Sequence, residues 1–250
     1  MEKINKGELL FGIHPIREAL KNRKRPILQL YILENKRPSR QVEEVIRLAK
    51  ANNVKIKTME ERLLDNLVNG QNHQGVVARA EPMQTMRLSN AIYEAAGKKQ
   101  ELWLAIDEVT DPQNLGSLLR SAACLGFSTV ILPQRRTVGI TPTVHKVASG
   151  AVETLKIVEV TNLTTAILDL KDEGFWIYGA DMDGKELPKV DYAYPAVLII
   201  GAEGTGLREK TKEHCDEVIS VPQQGGVSSL NAAAAGAIIM YDMYSKMKFK

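Results

Sequence analysis

From Leu102 onward the chain alternates between two kinds of segment. Five apolar stretches, Leu102–Ile106, Thr129–Leu132, Phe175–Ala180, Ala196–Ile200 and Val218–Val221, have the length of buried strands. Helical spacing fills the intervals at about 115–125, 143–149, 162–172 and 206–213, and a last helix is expected from Ser229 to about Lys246. A strand that is apolar at nearly every position has no face for water, so both faces must be covered, and intervening helices supply that cover. The pattern predicts an α/β domain built on a parallel sheet.

The first 80 residues read differently. A short helix ends at Ile16–Leu20, a strand covers Ile27–Leu33, and Val42, Val45, Ile46 and Ala49 fall at helical period within Val42–Ala51. A strand at Val54–Lys57, a helix at Arg62–Val68 and a strand at Gly75–Arg79 complete a small α/β domain. Residues 81–100, with Pro82, Met83 and Met86, then a short helix and the run Gly97-Lys98-Lys99-Gln100, are expected to link it to a second domain at residues 101–250. Residues 1–80 carry 16 Lys and Arg against 9 Asp and Glu, whereas residues 81–250 carry 17 against 21. That asymmetry points the first domain at a polyanion. Its densest run, Lys21-Asn22-Arg23-Lys24-Arg25, suits a phosphate contact and equally a solvated turn.

Cys124 and Cys215 are the only cysteines and neither belongs to a CxxC pair, which argues against a disulfide framework or zinc ribbon; no metal is expected. The longest apolar run, Ala232 to Tyr241, falls short of the roughly 20 residues of a membrane span. The N-terminus has acidic residues and no apolar secretion core, so a cytoplasmic protein is expected.

In open parallel sheets ligands bind beyond the carboxyl ends of the strands. Three of the loops there are unusual. DPQNLGSLLRSA places Asn114 at a helix entrance and Arg120 six residues on; alone, Asn114 reads as a helix cap and Arg120 as a surface cation. GAEGTGL puts Glu203 among glycines, but Glu209 stands where a dinucleotide fingerprint needs its third glycine, so a nicotinamide enzyme is disfavoured. VPQQGGVSSLNAAAA brings Ser228, Ser229, Leu230 and Asn231 to the foot of an alanine-rich helix, where a serine can cap.

Together these three pieces resemble the three motifs of the SpoU family of RNA ribose 2′-O-methyltransferases, within the trefoil-knotted SPOUT class. The likeness covers nearly all of residues 102–245, and His73-Gln74-Gly75 extends it to the small RNA-binding domain found ahead of the catalytic domain in many members. The resemblance implies a C-terminal SPOUT domain with a deep trefoil knot, preceded by an L30e-like RNA-binding domain. It implies S-adenosyl-L-methionine as cofactor, contacted by Gly201, Val221 and Leu230, and a reaction centre formed by Asn114, Arg120, Glu203, Ser229 and Asn231. It also implies a homodimer with the terminal helix at its interface. The implied activity is methylation of a ribose 2′-hydroxyl in RNA, with a guanosine of large-subunit (23S) ribosomal RNA favoured by the basic first domain. A transfer-RNA ribose methyltransferase and a non-catalytic RNA-binding protein of the same fold are the alternatives.

Arginine is protonated at any ordinary pH, so Arg120 suits a phosphate clamp or a stabiliser of a developing alkoxide better than a base. On this reading the 2′-hydroxyl proton leaves through phosphate, Glu203 or water.

Overall fold

A computed structural model describes residues 7–34, 37–226 and 229–249; Ser228 lies outside them. The chain forms two compact units. One runs to Gln84 and also takes in Ile140–Thr154, and the other holds Thr85–Gly139 and everything from Leu155 onward.

The first unit is built from β1 (Glu8–Phe11), α1 (Ile13–Asn22), β2 (Ile27–Leu33), α2 (Arg40–Ala51), β3 (Ile56–Met59), α3 (Glu61–Leu67) and β4 (Val76–Ala80). The strands lie in the order β1-β4-β2-β3, with β4 antiparallel to both neighbours and β2 parallel to β3. Alternation along the strands separates two cores. Leu10, Leu30, Val76 and Ala78 pack with Ile16 and Val45 of α1 and α2, while Phe11, Tyr31 and Val77 pack with Leu64 of α3. The strand β1 went unanticipated because four residues, ELLF, show too little alternation to stand out.

The returning segment contributes a short helix, α6 in chain order (Pro142–Val147), and a 3-10 turn at Ala151–Glu153. It is anchored by buried polar groups. Arg25, 4% exposed, donates from Nη2 to Glu153 Oε1 at 2.7 Å and to His145 Nε2 at 3.2 Å, and its Nη1 reaches Glu8. A guanidinium only donates, so His145 Nε2 must be the acceptor and the ring proton sits on Nδ1. That Nδ1 lies 3.6 Å from Glu153 Oε1 without a hydrogen bond. Burial first, and the Arg25 charge second, push the His145 pKa down to about 3.

The second unit holds α4 (Leu88–Ala95), β5 (Leu102–Ile106), α5 (Pro112–Cys124), β6 (Thr129–Pro133), β7 (Lys156–Val160), α7 (Leu163–Asp172), β8 (Trp176–Glu186), β9 (Ala196–Ile200), α8 (Glu209–Lys212), β10 (Glu217–Ser220) and α9 (Ala232–Phe249). Its six strands are parallel throughout, in the order β10-β8-β9-β5-β6-β7. The expected parallel sheet is therefore present, with one strand more than the apolar runs suggested. That strand, β7, sits at an edge and reads KIVEV, and its Lys156 and Glu159 broke the apolar run. The stretch read as a linker includes α4, whose Ala91 and Ala95 are buried in the core of this unit beside Trp103 and Val158.

All carboxyl ends of the sheet point one way, and strand order reverses between β5 and β9. A crevice forms at such a switch point. The helix α9 is tied down along its length. Gly236 lies against Leu118 of α5 and Ile200 of β9, where a Cβ would run into the Leu118 side chain. Further along, Tyr192 donates to Asp242 Oδ2 at 2.9 Å, Tyr194 donates to the Met243 carbonyl at 2.9 Å, and Lys246 Nζ donates to the Leu187 carbonyl at 2.6 Å.

Candidate active site

Three side chains from three loops meet beyond β5, β9 and β10. Asn114 Nδ2 donates to Glu203 Oε2 at 2.8 Å. Asn231 Nδ2 donates to Asn114 Oδ1 at 2.8 Å and to the same Glu203 oxygen at 3.2 Å. Asn231 Oδ1 accepts from the Ala233 and Ala234 amides at 2.9 and 3.3 Å. The first amides of α9, Asn231, Asn114 and Glu203 thus form one chain of donors ending on a carboxylate, and each bond polarises the next.

Local chemistry explains each placement. Asp111, not Asn114, caps α5: it accepts from the Gln113 amide at 3.0 Å, with Pro112 in the first helical turn. Asn114 is released from capping and buried, 7% exposed, with its amide turned to Glu203 and Asn231. At α9 the cap is Asn231, so the helix begins at Ala232 and not at the expected Ser229. Ser229 is half-buried and lines a cleft instead. Arg120 is exposed on α5. Six residues from Asn114 is about 9 Å along the axis and roughly 120° around it, so the two side chains leave the helix in different directions.

The cleft has a volume of about 240 Å³. Gly201, Glu203, Val221, Ser229 and Leu230 all line it, and Ala235 and Ile239 of α9 add apolar wall. Gly201 serves a purpose that the sequence did not reveal. The loop after β9 folds back on itself through paired bonds between Ala202 and Gly206, both at 3.0 Å, and a Cβ on Gly201 would collide with the Gly206 carbonyl. Glycine here closes the turn that carries Glu203.

Two acids that sequence reasoning passed over hold this loop. Asp107, the residue directly after β5, is 1% exposed. It accepts from Arg208 Nε at 2.8 Å and from the Thr211 hydroxyl at 2.7 Å, pinning the start of α8 to the end of β5. An acid set directly at the end of a run such as LWLAI was the available signal, since an acid buried so deeply needs such partners. Asp181, on β8, pairs with Lys212 at 2.9 Å and accepts from the Leu207 amide at 3.3 Å. Burial acts to raise the Asp181 pKa, but the Lys212 ammonium and the backbone donors outweigh it and hold the carboxyl below its ordinary value. The Lys212 pKa is correspondingly raised, chiefly by its hydrogen bond to Asp181. Cys215 lies nearby, but burial pushes its thiol up to about 12, which removes it as a nucleophile.

The cleft suits a ligand with a flat apolar part and a positive end. Ile200, Ile219, Val221, Ala235 and Ile239 give it apolar wall, and Asp181 and Asp183 border it together with Lys212. Among the described residues no group of three His, Cys, Asp or Glu side chains is placed to hold a metal ion, and no helix is long and apolar enough to cross a membrane.

Comparison with known proteins places this geometry in context. The family model described as SpoU rRNA Methylase family matches residues 101–241, and one described as RNA 2′-O ribose methyltransferase substrate binding matches residues 9–86. The TrmH family protein YacO of Bacillus subtilis (strain 168) is 38% identical over 242 residues, 96% of each chain. The 23S rRNA (guanosine-2′-O-)-methyltransferase RlmB of Ralstonia nicotianae is 37% identical over 241 residues, again 96% of each. Among solved structures, the SpoU methyltransferase AviRb of Streptomyces viridochromogenes in complex with AdoMet aligns with a TM-score of 0.79 at 25% identity, covering 95% of this chain and 89% of that one.

Proposed function

This chain belongs to the SpoU rRNA methylase family, and from that premise we propose that it methylates the ribose 2′-hydroxyl of a guanosine in 23S ribosomal RNA. It is an S-adenosylmethionine-dependent RNA 2′-O-methyltransferase. The observation that carries the reading is the junction of Asn114, Glu203 and Asn231 beside a cleft lined by Gly201, Val221 and Leu230.

When bound, S-adenosylmethionine supplies a methyl group on a positively charged sulfur. The residues of this chain do the rest. Gly201, Val221 and Leu230 hold the cofactor against aliphatic wall. Glu203, fixed by two amide donors, is presented on a closed turn, so its orientation is set before substrate arrives. Asn114, Ser229 and Asn231 fix ribose, backbone and cofactor by neutral hydrogen bonds. Arg120 binds the phosphate beside the target and stabilises negative charge as it develops on the 2′-oxygen. The proton passes from that oxygen to phosphate, water or Glu203 Oε1.

The protein acts as a homodimer in the cytoplasm. Ala234, Ile238 and Tyr241 are exposed at helical spacing on one face of α9, Tyr241 to 60%, and a second copy would cover them. A monomer by light scattering at micromolar concentration would remove this part of the reading. The ribosomal substrate is tested by incubating the protein with labelled cofactor and ribosomal RNA from a strain lacking the modification. A labelled guanosine in 23S RNA is expected; label only in transfer RNA would move the substrate to that class.

A further inference from the structure

A second cavity, of about 450 Å³, lies wholly within the first unit, where β2 ends and α2 begins. Its apolar wall is made by Ile32, Leu33 and Val42. Two carboxylates, Glu61 and Asp65, also line it. Asp65 is held in place by His73, which is 6% exposed. The Gly75 amide donates to His73 Nδ1 at 3.0 Å, which leaves the ring proton on Nε2, and Nε2 donates to Asp65 Oδ1 at 3.2 Å. Arg37 also lines the cavity, just before the start of α2, whose first turn is capped by Ser39 and carries the positive end of the helix dipole.

We propose that this cavity receives one unpaired nucleobase of the RNA substrate, guanine in preference to uracil. Single-stranded RNA is read by splaying a base into a pocket where its face meets apolar groups and its edge meets hydrogen-bonding ones. The aliphatic wall suits the face. Carboxylates only accept, so Glu61 and Asp65 select an edge rich in donors, and guanine offers adjacent N1–H and N2–H groups where uracil offers one. Arg37 and the positive start of α2 share the lining of the cavity and would be the partners of the nucleotide's phosphate. The proposal rests on the reading of this chain as an RNA-modifying enzyme; the substrate-binding match over residues 9–86 names no pocket.

The test uses the full chain and two variants. Asp65→Asn keeps the volume and removes a charged acceptor, and Glu61→Trp sets an indole at the rim from an exposed position on α3. Binding of short labelled single strands is followed by fluorescence anisotropy, cofactor binding by calorimetry, and folding by thermal melting. The wild type is expected to bind a guanosine-containing strand at least about fivefold more tightly than an all-uridine strand, the lower end for a good bidentate base contact. Asp65→Asn should erase that preference, and Glu61→Trp should weaken both strands about tenfold, with cofactor affinity within twofold of wild type. If the wild type does not distinguish the strands, or if Asp65→Asn retains the preference, the proposal is overturned. Methyl transfer to ribosomal RNA by the wild type is scored separately: failure there with cavity-dependent binding intact would sink the enzymatic reading and leave this one standing.

Discussion

The buried imidazole of His145 should make the first unit sensitive to mild acid. In the folded chain its pKa lies at about 3, whereas in the unfolded chain it returns to the ordinary value near 6.5. The unfolded state therefore binds a proton that the folded state refuses. Stability from this residue is full above pH 6.5 and is lost as pH falls toward 3. Each pH unit in that window costs about 1.4 kcal/mol, so going from pH 7.5 to 5 should cost roughly 2 kcal/mol. A protonated Nε2 would also face the Arg25 guanidinium, donor against donor.

The two tryptophans, Trp103 and Trp176, both lie in the second unit and cannot report on this event. Hydrogen exchange of the β2 and β4 amides can. The opening free energy of wild type and His145→Gln should be compared at pH 7.5 and 5. Carboxylates near Arg25, Glu8 and Glu153 included, contribute to both proteins, so the difference in pH dependence isolates the ring. The wild type should lose about 2 kcal/mol more than the variant over this range. Equal losses would refute the argument and mean that the ring takes up its proton in the folded state without penalty.

Removing Glu203 as Glu203→Ala strips the acceptor from two amide donors, one on a buried asparagine; about 1–3 kcal/mol of site organisation should go, read as a fivefold to 150-fold lower kcat/KM in single-turnover methyl transfer. Arg120→Lys should cut kcat at least tenfold with RNA affinity changed by less than about fivefold, because a lysine cannot replace the bidentate fork; near-normal turnover would show that the fork is not used. Gly201→Ala should weaken cofactor binding by about tenfold or more in calorimetry, since the new methyl group must push the Gly206 carbonyl outward and open the loop.

Much of this was open to reading without coordinates. The apolar stretches at Leu102–Ile106 and Ala196–Ile200 became β5 and β9 to the residue, because strands buried on both faces carry their environment in their composition. The three motifs could be recognised because the chemistry restricts residue types and short spacings within each loop. Edge and short elements were less visible: β7 and β1 are stabilised by neighbours distant in sequence, and nothing local announces them.

Tertiary structure decided what each side chain does. Residue by residue, Asn114 read as a helix cap, and only the family resemblance set it and Asn231 at a reaction centre; in three dimensions Asp111 caps one helix, Asn231 the other, and Asn114 joins Glu203 across 89 positions. Gly201 lines the cleft, and its missing side chain also leaves room for the Gly206 carbonyl, a second duty that only the folded loop shows. Asp107 and Asp181 drew no notice, although they hold the loop that presents Glu203. The physical reason is common to all of these. Hydrogen-bond partners are chosen by geometry among every donor within about 3 Å, and that choice is made only when strands far apart in sequence lie side by side.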